Sequence, residues 1–147
     1  MKKILLLFLC ITLLSCSGEN TIHGTNPQGI TGFLDLQTCK PTAIEYHLDR
    51  SNNGWMGPTD YNVEAVLYYD AATFARFTER YGKELAHDSQ VTKSTFYFKW
   101  LPDTVKAELA ASPETYVYRA ELLTQHGNPH CYLWFLKNKV LVYYFTM

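Results

Sequence analysis

CYLWFLKNKVLVYYF, residues Cys131–Phe145, is the stretch on which the fold turns. It is apolar at both odd and even positions and broken only by Lys137, Asn138 and Lys139, so it reads as a β-hairpin with two apolar faces. With Asn138 and Lys139 as a two-residue turn, Trp134 faces Tyr143, Tyr132 faces Phe145 and Leu136 faces Leu141. Cys131, Leu133 and Phe135 then point the other way with Val142 and Tyr144. Water can be left on neither side of such a sheet. Two helices shield one face, and the other must pack on further strands, pair with a second copy or bind something. We read the second face as covered partly by the chain's own amino-terminal strands and loops.

Working outward from the hairpin, the hydrophobic period switches between two and the helical value. Ile44, Tyr46 and Leu48 alternate with Glu45, His47 and Asp49, and Val63, Ala65, Leu67 and Tyr69 repeat the pattern, so both segments predict half-buried strands. Asp70 is placed as an N-cap, Ala71, Phe74, Phe77 and Tyr81 follow at helical spacing, and Gly82 ends the helix. Phe96, Phe98 and Trp100 alternate with Thr95, Tyr97 and Lys99 and predict another strand, its three aromatics packed on that helix. Pro102 and Asp103 open a second helix that runs to about Ala111, closed by Ser112 and Pro113. From Tyr116 to Leu123 the period of two returns, with Tyr118, Ala120 and Leu122 facing inward. The class predicted is α+β, one domain, a mainly antiparallel sheet of about five to seven strands with two helices.

The chain has 147 residues, the size of one domain, and no internal repeat or low-complexity tract divides it. Hydrophobic residues are 47% and charged residues 18%, enough apolar surface for a core and too little charge for a disordered chain. Formal net charge is −1, which argues against a general nucleic-acid binder.

At the amino terminus Met1, Lys2 and Lys3 precede the apolar run Ile4 to Leu14, and Ser15 and Cys16 follow. The run is too short to cross a bilayer, which takes roughly 20 helical residues, but it has the length of a signal-peptide core. Leu13, Leu14, Ser15 and Cys16 resemble the lipobox of bacterial lipoprotein precursors. The resemblance implies that residues 1–15 are removed and that Cys16 receives a diacylglycerol and a further acyl chain, together a stable anchor. By the sorting preference of enteric bacteria, Ser17 implies retention in the outer membrane. Loss of Lys2 and Lys3 from the 13 Lys and Arg leaves 11 against 14 acids, a mature charge of −3. Ser17 to Ile30, rich in Gly, Asn and Thr, reads as a flexible tether with His23 solvated in it, and the globular domain as residues 31–147.

Of the four cysteines, Cys10 leaves with the signal peptide and Cys16 is taken by lipid, so Cys39 and Cys131 are expected to pair in an oxidising compartment. Closing a loop of roughly 90 residues contributes about 4 to 5 kcal/mol in the chain-entropy model.

Signature motifs of hydrolases, nucleotide-binding loops and zinc proteases are missing from the sequence, and no cofactor is implied. Glu45, His47 and Asp49 share one strand face and are the candidate catalytic residues, an exposed polar face being the plainer account of them. Glu64 with Asp70 is a second carboxylate pair close in sequence. His126 and His130, in the loop QHGNPHC, are the candidate metal ligands, with Asp88 as a possible third, and they stand two short of a structural zinc set. Trp55 and Met56, at the tip of Ser51 to Tyr61, read either as a lid folded back on the core or as a binding anchor. Tyr132, Trp134 and Tyr143 are further candidate binding groups on the hairpin.

Three functions fit these features. The first is a non-catalytic envelope binding module, such as an inhibitor, an immunity-type protein or an accessory subunit, whose partners are the membrane and a protein or envelope component. The second is a small periplasmic hydrolase, and the third a self-associating structural protein of the envelope. The anchor has a direct test: a fatty-acid probe should label the wild-type chain in cells and leave Cys16→Ala unlabelled, and label on that variant refutes acylation at Cys16.

Overall fold

The computed structural model describes residues 21–52, 59–87, 91–113 and 117–147. Among them, six strands form one antiparallel sheet: β1 Thr21–Gly24, β2 Ala43–Asn52, β3 Thr59–Tyr68, β4 Tyr118–Arg119, β5 Cys131–Leu136 and β6 Lys139–Phe145. Their order across the sheet is β1-β2-β3-β6-β5-β4. Helix α1 spans Ala71–Tyr81 and α2 spans Asp103–Ala111, so the fold is α+β. Neither helix is long and apolar enough to cross a membrane.

The centre of the sheet belongs to the strands that are apolar on both sides. Val63, Ala65, Val66 and Leu67 of β3 and Val140, Leu141 and Val142 of β6 are fully buried, which requires cover above and below. On one face Ile44, Ala65, Leu133 and Val142 pack under Phe77 and Tyr81 of α1, joined by Ile30, Leu34 and Leu36. On the other, Val66, Tyr132, Trp134 and Leu141 pack under Val105 and Leu109 of α2, together with Phe96, Phe98 and Leu101. The helices are therefore divided between the faces, not both placed on one. Helices of 11 and 9 residues are about 16 and 13 Å long, each sufficient for two or three strands and no more.

The cap residues act as their types dictate. Asp70 accepts a hydrogen bond from the Thr73 backbone N–H at 2.9 Å, which holds its carboxyl below the usual carboxylate range. Gly82 closes α1, where a Cβ would meet the Thr78 carbonyl at 2.6 Å.

Several expectations are corrected. The hairpin turn is Lys137–Asn138, so Leu136 lies opposite Lys139, Trp134 opposite Leu141 and Tyr132 opposite Tyr143. Asn138 takes the left-handed backbone, φ 56°, which asparagine tolerates, and the Glu108 carboxylate clamps the turn through the Lys137 N–H and the Lys139 ammonium. The pairing is displaced by two residues, an even number, and the face assignment survives.

Residues Phe96 to Trp100 form no strand. Lys93–Phe96 is a 3-10 turn in which the Thr95 hydroxyl accepts from the Thr92 N–H, a local bond that competes with a ladder. Phe96 and Phe98 are buried as the period implies, but on the α2 face, away from α1. Beyond Arg119 a 3-10 turn at Glu121–Leu123 rotates the chain, burying Leu123 and exposing Leu122.

Cys39 and Cys131 are separate buried thiols, and the expected bond between them is absent from the structure. Cysteine count allows a pairing, whereas bonding needs Cα atoms about 4.4 to 6.8 Å apart with converging Cβ vectors, which only the fold decides. Burial pushes the Cys131 thiol well up.

The segment expected as a tether is structured from Thr21. β1 pairs with β2, Thr21 opposite Asp49 and His23 opposite His47, and Ile30 is fully buried. Tyr46 fixes it there: a Cβ on Gly24 or Gly29 would collide with the Tyr46 ring and hydroxyl, so only glycine admits that approach.

Trp134, 1% exposed with an unpartnered indole N–H, is the largest side chain of the α2-side core. Trp134→Ala should cost about 3 to 5 kcal/mol in urea unfolding, and Trp134→Phe clearly less because it keeps most of the packing and removes the orphaned donor. Equal stability of wild type and Trp134→Ala would contradict the packing described.

Candidate functional site

The α2-side face is apolar only across β3, β6 and β5. Toward β1 and β2 it turns polar, because the outward residues there are Thr21, His23, Glu45, His47 and Asp49. Backbone register places His23 opposite His47, His47 opposite Glu64, and Glu64 opposite Tyr143, a row running across four strands. Side chains directly opposite on one face lie about 5 Å apart at Cβ. The row therefore brings two imidazoles, a carboxyl and a phenol together from segments far apart in sequence.

Trp100 borders this row. It hangs between Phe98 and Leu101, both buried, and its indole lies parallel to the His47 ring, with centroids 4.7 Å apart and 5° between planes. It also stacks with Phe98, at 5.8 Å and 14°. The His23 ring stands edge-on to His47 at 4.5 Å. Trp100 Nε1 donates to Glu64 Oε2 at 2.6 Å, so the indole plane is fixed by stacking and by a bond at its rim. His47, Glu64, Phe98 and Trp100, with Asp49, Lys99 and the exposed Tyr97, line an open hollow of about 560 Å³.

The environment moves the titrating groups in opposite directions. Burial, reinforced by the neighbouring His23, lowers the His47 imidazole below its ordinary value and keeps it neutral at pH 7. Burial raises the Glu64 carboxyl, and Asp49 raises it further, while the Trp100 N–H and Lys99 oppose the shift. Burial first, then Glu64, raises the Tyr143 phenol.

Glu45, His47 and Asp49 do share one face, yet they do not act together. Glu45 accepts the Tyr68 hydroxyl at 3.1 Å, and burial first, then this bond, pushes that phenol up to about 12. Asp49 accepts from the Thr21 hydroxyl at 3.3 Å. The carboxylate beside His47 is Glu64, which sequence proximity had set with Asp70. Among the described residues His47 meets rings, and no hydroxyl, thiol or carboxylate hydrogen-bonds its imidazole.

His126 is exposed, and His130 stacks on Phe145 at 4.7 Å with its Nδ1 buried and unpartnered. No group of three or more His, Cys, Asp or Glu among the described residues could hold a metal ion. Tyr132 and Trp134, expected as binding groups, are each 1% exposed and belong to the core. Tyr143 is half-buried beside Glu64. Trp55, Met56 and Asp88 lie outside the described residues.

His23 and Trp100 escaped the sequence reading as site residues, and Glu64 was set with Asp70 and not with His47. A four-residue strand is too short to show a period, and Trp100 carried the mark of a core strand. Glu64 was within reach: once Asn52 is set opposite Thr59, counting back along the hairpin lands it opposite His47.

The chain was compared with protein-family models, with curated proteins and with solved structures, and it matches none of them.

Ring-proton NMR should give His47 a titration midpoint below the ordinary 6.5, and His23→Asn should move it upward by removing the neighbouring charge. Trp100→Phe should raise the Glu64 midpoint, since the carboxylate loses the N–H that stabilises it. As a base with a depressed midpoint, His47 favours the fold above pH 6.5, and that contribution declines as pH falls through its unfolded and then its folded value. A His47 midpoint at or above 6.5 would contradict the geometry.

Proposed function

We propose that this chain is a non-catalytic binding module of a bacterial cell envelope, held on the outer membrane by acyl chains on Cys16, facing the periplasm and docking a partner protein in the hollow. The observation that carries the reading is the fixed Trp100 wall. An indole stacked with His47 and with Phe98 and bonded to Glu64 presents a rigid rim beside carboxylates and hydroxyls, and a preorganised aromatic edge loses little entropy on binding. The imidazole that chemistry would need is spent on that wall. The module would serve as an inhibitor, an immunity-type protein or an accessory subunit.

A second reading, a small periplasmic hydrolase, draws on one observation: a carboxyl raised and an imidazole lowered side by side in one hollow, a pattern that clusters at catalytic sites. Its acid would be Glu64 and its base His47.

Capture from envelope extract, read by mass spectrometry, separates the two. Wild type should retain one specific protein, Trp100→Ala should lose it at unchanged circular dichroism, and Trp55→Ala run alongside reports on the loop outside the described residues. Retention unaffected by Trp100→Ala, or an activity abolished by Glu64→Gln or His47→Gln, would overturn the binding reading.

A further inference from the structure

The hollow lies closer to the proposed anchor than a flexible tether up to Ile30 would put it. Resting on the reading that Cys16 is acylated, the leash is Ser17 to Asn20, because Thr21 already opens β1 and is paired with Asp49 of β2. Thr21 also lines the hollow. Five peptide units separate it from Cys16, and whatever path they take they reach at most about 18 Å. The headgroup zone of a leaflet is itself roughly 5 to 8 Å deep.

Charge narrows the occupant. Asp49 and Glu64 stand diagonally across β2 and β3, close enough that Asp49 raises the Glu64 carboxyl. Lys99 is the cation in the hollow, and among the described residues none of the three forms an ion pair. His47 adds no charge at neutral pH. The hollow thus has an excess of negative charge, beside the edges of Trp100 and Tyr97 that an aliphatic stem can lie along.

We propose that the hollow receives a lysine or arginine side chain from the membrane-proximal segment of a protein held in the same bilayer. The leash joins β1 at its first residue, Thr21, whereas the hollow lies over the outward side chains of β2 and β3. Confinement to one membrane supplies the effective concentration that a shallow, open site lacks.

The lipidated mature chain in phosphatidylcholine vesicles tests this with a short lysine- and arginine-bearing peptide, free in solution or carrying two acyl chains in the same vesicles. The anchored peptide should bind on the order of 10²-fold more tightly than the free one. Asp49→Asn with Glu64→Gln should abolish binding of both forms at unchanged circular dichroism. A glycine–serine insert of about 20 residues before Thr21 should cut the anchored gain about tenfold and leave the free peptide's affinity unaltered. A gain that survives the insert, or an acidic peptide that binds equally well, overturns the proposal. So does retention of the unlipidated chain by phosphatidylethanolamine vesicles that the double variant loses, which assigns the hollow to a headgroup amine. A chain that never enters the vesicles overturns the anchoring reading and this one together, whereas an anchored chain indifferent to the peptide overturns this one alone.

Discussion

Two-sided burial of β3 and β6 is the constraint from which the remaining architecture follows. Val66 and Leu141 point one way, Ala65 and Val142 the other, and all four are sealed from water. Each face needs its own cover, and the two helices are too short to serve both from one side. The segment around Ile30 to Leu36 is drawn onto the α1 face and the segment Val91 to Leu101 onto the α2 face for the same reason. Tyr46, lodged against Gly24 and Gly29, extends this cover to the edge and commits β1 to the sheet.

The hollow is what remains where that cover stops. α2 and its preceding segment reach across β5, β6 and β3, and Trp100 marks the limit of the cover. Past it the sheet presents His47, Asp49 and Glu64, residues that can be left partly wet. A hydrophobic boundary crossing a sheet obliquely leaves a rim on one side and a polar floor on the other, and here the rim is an indole locked in a three-ring stack with His47 and Phe98. Stability and site share these side chains: the tryptophan that ends the core is the wall of the hollow.

Electrostatics in the hollow is governed by burial before pairing. The leading cause of the shifts at His47, Glu64 and Tyr143 is desolvation, which favours the neutral form of each. At His47 the neighbouring His23 acts in the same sense as burial, whereas at Glu64 the Trp100 N–H and Lys99 oppose it and Asp49 adds to it. A partner that brings a cation changes this balance, because the carboxylates gain a counter-charge while His47 does not.

Period and punctuation are local properties, and they were legible. Asp70 and Gly82 bound α1, Pro102 and Ser112 bound α2, and the alternations at Ile44 to Leu48 and Val63 to Leu67 are strands with the buried face assigned correctly. The hairpin's faces were legible even though its turn was misplaced, since a shift of two residues leaves side-chain direction unchanged. Where hydroxyls bond their own backbone, as at Thr92 and Thr95, period alone misled, giving the right burial and the wrong ladder. The candidate site was legible by half: Glu45, His47 and Asp49 were placed on one face, but their neighbours depend on which strand lies alongside and in what register. That is fixed by long-range burial of the whole sheet and not by adjacent residues. By itself, then, the sequence determined both helices, the strands at Ile44 to Leu48 and Val63 to Leu67, the hairpin, and the inward faces of these elements. Only tertiary structure decided that His23, His47, Glu64 and Trp100 meet, because register between distant strands is set by the packing of both faces at once.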